Sequence, residues 1–334
     1  MGDENSSFFH CMATISHEKK FIVSLIKPDG TSVTEHEQKA NLLWSAYKQR
    51  LGCTEFTDMA YDLTSLLTQH DLDHLDLDFS QEEIDLVIKS LPNSHAPGPD
   101  GFNGFFINKS WNIIKNDFIR LIRDFSNFNI DLRCINSSII ALVPKKSIPE
   151  SVDDFRPISL LNYSLNCITK LLSTRLQSVI LQLVHQNQYG FIKGRTIQDC
   201  LVWAFQFLHI YHKSKKEIII LKIEFAKAFD KLEHQVILQI LRSKGFSEKW
   251  IGWINNLLST ASSSVLLNTI PGKSFNCLRG VRQGDPLSPL LFVLAADLCQ
   301  SIINKAWQAG VLKHPLADDF GGDFPMFSML MTHF

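Results

Sequence analysis

Apolar residues recur at three- to four-residue spacing through most of the chain, the period of a helix with one buried face. One such helix ends at Gly52, and another spans Gln81 to about Leu91. Ser80 and Glu83 open the second with capping-box spacing, and Phe79 and Ile84 stand where a hydrophobic staple would close. Further helices are predicted over Trp111–Phe125, Leu160–Val184, Val236–Lys244, with a stop at Gly245, and Trp250–Leu258. Thr196 and Asp199 form another capping box, opening a helix to about His212, and Pro286 begins a long one to Ala309. Three regions read as strands. Ile139–Val143 is apolar and stopped by Pro144, and Glu217–Phe225 is short and isoleucine-rich. Ser263–Asn268 and Ser274–Leu278 flank Pro271-Gly272 as a hairpin. His95–Gly104, with three glycines and two prolines, is a loop, and Leu72–Asp78 an acidic connector. Helices and strands are intermixed, which predicts an α+β fold.

Composition narrows this only slightly. With 45% hydrophobic and 20% charged residues, the 334-residue chain fits one large globular domain or two. The net charge of −1 gives no sign of a nucleic-acid partner. The distribution does: Arg133–Arg195 holds eight Lys/Arg against three acids, a surplus of five, whereas Asp71–Asp85 holds seven acids and no Lys or Arg. A basic middle suits a nucleic-acid groove, and it also suits a solvated surface. The seven cysteines have no metal-ligand or redox spacing, so a reduced, intracellular chain is expected. No signal-peptide pattern and no run of about 18 apolar residues are seen, so no membrane span is expected.

No serine-hydrolase elbow, zinc-protease helix or phosphate-binding glycine loop of the Walker type is present. His209 and His212 share a helix face in an aromatic-rich segment, which favours packing. Four segments stand out together. They are Ala96-Pro-Gly-Pro-Asp-Gly101, Asp154-Phe-Arg-Pro-Ile-Ser159, Leu221-Lys-Ile-Glu-Phe-Ala-Lys-Ala-Phe-Asp230 and Gly280-Val-Arg-Gln-Gly-Asp-Pro-Leu-Ser-Pro289. Singly they read as a turn, a turn, a strand end and a helix start.

In this order and spacing the four resemble the signature blocks of reverse transcriptases from non-LTR (LINE-type) retrotransposons. Ile140–Lys146 and Gln188–Arg195 match supporting blocks, and Phe8-Phe-His10 resembles the family's link from endonuclease to polymerase. The resemblance covers nearly the whole chain. It implies a right-hand polymerase fold, with residues 1–79 a preceding linker, 80–215 the fingers, 216–334 a partial palm, and the thumb absent. It implies an RNA-directed DNA polymerase that takes an RNA template, a DNA primer and deoxynucleoside triphosphates. Two Mg²⁺ ions held by aspartates would stabilise the attacking and leaving oxygens. Lys145 and Arg156 would grip the triphosphate, Phe229 would exclude a ribose 2′-hydroxyl, and Gln283 and Gly284 would line the nucleotide pocket. Lys193 and Arg195 would meet the template backbone, and Asp230 is read as architectural. A nuclear or cytoplasmic location follows from the family alone.

Two departures bear on activity. Glu224 stands where the resemblance places the first metal aspartate. The extra methylene moves the carboxylate by about an ångström, and misplacement on that scale can cost on the order of 10²-fold. The family's catalytic Tyr-Ala-Asp-Asp box is also missing. Leu316-Ala-Asp-Asp319 is read as a look-alike, because Lys313-His-Pro315 and Phe320-Gly-Gly322 around it suit a loop. Asp323-Phe-Pro325 matches the segment that precedes the box, and Phe327–Phe334 follows. With permitted codons, Phe327–His333 read in a shifted frame gives Gln-Tyr-Ala-Asp-Asp-Thr, so a frameshifted, truncated and inactive copy is expected. A palm lacking that hairpin would fold poorly and aggregate. A non-catalytic binder of RNA or RNA–DNA hybrid, and a pseudogene product without a selected role, are the alternatives.

Overall fold

A computed structural model describes residues 21–54, 62–215, 220 and 223–312. Two short strands, β1 (Leu25–Ile26) and β2 (Ser32–Val33), precede helix α1 (His36–Leu51). After the acidic connector, which forms a 3-10 turn over Asp73–Asp76, come α2 (Gln81–Ser90) and α3 (Gly104–Ser126). Strands β3 (Ser137–Pro144) and β4 (Phe155–Leu161) lead into α4 (Tyr163–Leu183) and α5 (Ile197–Ser214). Then follow α6 (His234–Ser243), α7 (Glu248–Ser259), the hairpin β5 (Ser262–Leu267) and β6 (Ile270–Asn276), and α8 (Ser288–Gln308). The mixed α+β architecture is as the sequence pattern predicts.

The central sheet has the order β4-β3-β5-β6. β3 runs antiparallel to β4 and parallel to β5, with Ser137 opposite Ser262. Strands from both sides of residue 216 thus share one sheet. The main core lies among α2, α3, α4, α6, α7 and α8, where Trp250, Trp253 and Phe125 are fully buried. A second apolar cluster joins Leu43 and Tyr47 of α1 to Ile140, Val265 and Phe275 of the sheet. Residues 21–51, expected as part of a linker, are therefore packed structure.

Local chemistry explains the helix starts. Ser80 accepts from the Glu83 N–H at 3.1 Å, and the Glu83 carboxylate turns instead to Arg175 at 2.8 Å. Only half of the expected capping box forms, because an arginine is a stronger partner for a carboxylate than a backbone amide. At Thr196 and Asp199 both halves are present. Arg175 also donates to the carbonyls of Leu75, Leu77 and Asp78 and lies 3.9 Å over the Phe79 ring. It ties the connector to α4.

Three expectations need correction. Of Asp154–Ser159, read as a turn, only Asp154 lies in one; Phe155–Ser159 belong to a strand, paired along β3 from Phe155 opposite Pro144 to Leu161 opposite Ser138. The hairpin turns at Asn268-Thr269, not at Pro271-Gly272. Both turn residues have positive φ (49° and 71°), as a two-residue type I′ loop requires, and Asn268 exchanges hydrogen bonds with the backbone of Ile22. Ile223–Phe225 form no strand. The rest of the expected Glu217–Phe225 strand lies wholly or partly outside the described residues, as do Phe8–His10, Leu316–Asp319 and Phe327–Phe334.

By length and composition alone α8 is apolar enough to cross a membrane, although Asp297, Gln300 and Lys305 interrupt its apolar run. It is a core helix: Leu290, Leu291, Val293 and Leu294 are buried. Its Asp297 forms a buried ion pair with Lys244 at 3.1 Å. Lys244 also donates to the Leu183 carbonyl, and Asp297 accepts from the His185 N–H at 2.7 Å.

Candidate nucleotide and template site

The second signature segment runs into β4, the first and fourth pack directly on that strand, and the third reaches it through the fourth. Gly98 of the first lies flat against the end of that strand, where an added Cβ would stand 2.3 Å from the Leu161 carbonyl carbon. Asn162 accepts from the Asp100 N–H at 3.0 Å and locks the loop in place. From the fourth segment, the Gln283 carbonyl accepts from the Ser159 N–H at 2.7 Å. Gly284 follows with φ +109°, and a Cβ there would meet the Ser159 oxygen at 2.8 Å. Only glycine meets both conditions, a left-handed backbone and a close approach. The third segment joins through the Val281 N–H, which donates to the Phe229 carbonyl at 2.8 Å, and through Gly280 against Asp230.

Among the expected nucleotide ligands, Arg156 stands second in β4, opposite Val143, and its side chain has no ion pair or hydrogen bond among the described residues. Lys145, one residue beyond β3, donates to the Asp153 carbonyl at 2.8 Å. The turn between them is held by Asp154. Its carboxylate accepts from the Ser151 and Glu150 N–H groups at 2.8 and 2.9 Å and pairs with Lys146 at 3.1 Å. Those amides hold the Asp154 carboxyl far below the usual carboxylate range.

Phe229 is only 7% exposed and belongs to the main core. Its ring stacks on Phe292, centroids 4.8 Å apart, and meets Phe191 edge-on. Lys193 is exposed. Arg195 donates from one nitrogen to the carbonyls of His185 and Gln188, each at 2.7 Å, and so closes its own loop. The basic middle is correspondingly thinner than its count suggests. Arg175 and Arg195 are engaged in structure, and Lys146 is paired with an acid.

Sequence reading missed the charged groups inside the fourth segment. Arg282 donates to the Asn136 side chain at 2.5 Å and to its carbonyl at 2.9 Å. Asp285 accepts from the Leu287 N–H and the Ser288 hydroxyl. Burial pushes the Asp285 carboxyl up, while Arg282 acts on it in the opposite sense. These residues fasten the segment to the start of β3, a role that their place in a motif does not reveal. The reading also missed Arg50 and Lys227, which both bind Asp153. Asp230, read as architectural, is buried, with its carboxyl pushed up by desolvation and opposed by Arg50, Lys227, Lys145 and Arg279.

Mg²⁺ demands several hard oxygen ligands in near-octahedral geometry. Among the described residues no group of three acids, histidines or cysteines is placed to hold a metal ion. Glu224 is exposed on an unpaired stretch, and Asp230 lies beneath cations. The described residues therefore do not fit the ion.

A model of the reverse transcriptase (RNA-dependent DNA polymerase) family matches residues 143–320, just over half of the chain and including Leu316–Asp319. A 149 kDa protein of transposon TX1 from Xenopus laevis is 26% identical over 94% of this chain and 24% of its own length. The Pol polyprotein of the retrotransposable element R2DM from Drosophila melanogaster is 29% identical over 64% of the chain and 20% of its own length. A probable RNA-directed DNA polymerase from transposon BS of the same fly is 24% identical over 95% of the chain and 36% of its own length. The chain thus spans a fifth to about a third of these relatives. With three of its four signature segments inside the matched region, the chain belongs to the reverse transcriptase family, in the form carried by non-LTR retrotransposons.

Proposed function

We propose that this chain is the nucleotide- and template-binding part of an RNA-directed DNA polymerase, with residues 80–215 as fingers and 216–334 as the beginning of the palm. The packing of the first and fourth segments against β4, with the third held to the fourth, carries this reading. It sets Arg156, Lys145, Gln283 and Gly284 around one strand, so a deoxynucleoside triphosphate would meet two cations and a glycine-lined wall. Fixed cations aimed at phosphate oxygens act by position and charge, the main contribution a protein makes to phosphoryl transfer. Lys193 would add salt-dependent affinity for the template backbone, with Arg195 shaping its loop. Phe229 would form a rigid wall behind the sugar, held by Phe292. Divalent metal ions serve this family's chemistry, and no group among the described residues is placed to hold one.

Glu224 favours a second reading, a non-catalytic binder of RNA–DNA hybrid, because a longer carboxylate misplaces the metal. Fluorescence anisotropy with a labelled RNA–DNA hybrid across 50–300 mM salt, beside primer extension by the same protein, separates the two. The proposal expects tight binding that weakens steeply with salt, with Lys193→Ala lowering the slope by about one phosphate contact. Extension is expected to be faint, and to rise with Glu224→Asp if the methylene is the lesion. Salt-independent binding, or none, would sink the proposal. Unaltered faint extension with Glu224→Asp would favour the second reading.

A further inference from the structure

Three cations from three separate parts of the chain meet at Asp153. Lys227, in the third signature segment, places its ammonium 2.8 Å from Asp153 Oδ1. The guanidinium of Arg50, from the last turn of α1, binds the same oxygen. Lys145 donates to the Asp153 carbonyl at 2.8 Å. The Asp153 side chain is 60% exposed, whereas Arg50 is 16% and Lys227 33% exposed. The cations are thus more sheltered than the anion that joins them. Asp154 next door is already engaged by Lys146 and two amides.

The cations are also fixed from behind. Arg279 donates to the carbonyls of Arg50 and Gln49 at 2.7 and 3.2 Å, and its own N–H donates to Leu51. The Arg50 guanidinium lies 4.9 Å over the Tyr47 ring, and Tyr47 is fully buried. Lys227 has a left-handed backbone, φ +54°, and its carbonyl accepts from the Asp230 and Lys231 N–H groups. A β-carbon-bearing residue adopts that conformation uncommonly, and here it is held by those two backbone bonds. The buried Asp230 carboxylate beneath lies in the field of all three cations.

We infer that Arg50 and Lys227 join Lys145 as a seat for the polyphosphate of an incoming nucleotide, with Asp153 as an internal counter-ion that the polyphosphate displaces. The inference rests on the nucleotide-binding reading above and extends it to a helix outside the matched segment. Asp153, exposed to water on its own side, can leave its cations at little cost. A triphosphate offers several oxygens where Asp153 offers one carboxylate, and charge-assisted contacts to phosphate suit both lysine and arginine. The cations converge on a point. A strand backbone would need them spread along a groove, so a compact polyphosphate is the better fit.

The test is calorimetric titration of the full chain with inorganic triphosphate, with a parallel arm using a 12-nucleotide single-stranded RNA. Arg50→Met and Lys227→Met are each expected to weaken triphosphate binding about tenfold or more. Asp153→Asn is expected to strengthen it, and Lys109→Ala on α3 to leave it unchanged. The Asp153→Asn gain keeps the test decisive even where Arg50→Met fails to fold. Triphosphate binding that responds to Arg156→Ala but to none of the Arg50, Lys227 and Asp153 variants overturns the inference and leaves the wider reading standing. Variants that alter RNA binding alone also overturn it, since the seat then holds a strand. Absence of triphosphate binding by the unmodified chain overturns it too, and hybrid binding then decides the wider reading separately.

Discussion

Asp154 shows how one side chain shapes the site without touching a ligand. Its carboxylate holds the turn from which Arg156 enters β4. Because the Ser151 and Glu150 amides, and then Lys146, hold its folded-state pKa below the ordinary 3.8, its contribution to stability is complete above that value. It is lost as pH falls below 3.8 toward the folded-state value. Urea melts between pH 2 and 7 should therefore show an acid limb that Asp154→Asn flattens, with stability already lower at neutral pH. An acid limb identical to that of the unmodified chain would refute this. Asp230 acts in the opposite sense. Burial raises its pKa, so its share of stability declines as pH rises from 3.8 through the folded value. The glycines are equally particular: Gly98 and Gly284 each occupy a place that a Cβ would contest with backbone of the β4 edge.

Among the elements, the hairpin departs from the most economical sequence for its turn. Asn268 suits a left-handed position, whereas Thr269, β-branched at φ +71°, does not. Thr269→Gly should stabilise the protein by about 1 kcal/mol, read as a rise in the denaturation midpoint at constant slope. A fall in midpoint would mean that the threonine side chain does more than its bond to the Asn268 carbonyl suggests. This turn also marks where sequence reading reached its limit. Helix periods and caps were legible because they are local: Ser80, Thr196, Gly245 and the buried stripe of α4 act within a few residues. Pro271-Gly272 is a conventional turn signal, yet cross-strand register placed the turn three residues earlier, with Leu267 opposite Ile270. β4 was hidden for a similar reason, since Arg156-Pro-Ile-Ser159 has no clear alternation and becomes a strand only through β3. The site residues Arg156, Gln283 and Gly284 were legible as motif members. Arg50 was not, because its contact with Asp153 spans 103 positions and α1 carries no motif.

For the whole molecule, α5 is the least reconciled feature. Leu201, Val202, Trp203, Phe205 and Leu208 are 40–68% exposed, and Ile223 and Phe225 nearby in sequence are exposed as well. So many exposed large apolar side chains on one helix favour association. At micromolar concentration the 334-residue chain should self-associate by light scattering, and Val202→Lys with Phe205→Glu should raise the monomer fraction. A monomeric unmodified chain would refute the expectation. The parallel pairing of β3 with β5 has its own consequence during synthesis. Ser137 is translated 125 residues before its partner Ser262. At roughly 5–20 residues per second, that leaves one edge of the β3–β4 pair open for about 6–25 s on the ribosome. Through that interval the strand bearing Arg156 hangs on a two-stranded ribbon too small to be stable alone, so a translational pause before β5 would lengthen the period in which the nascent chain needs a chaperone.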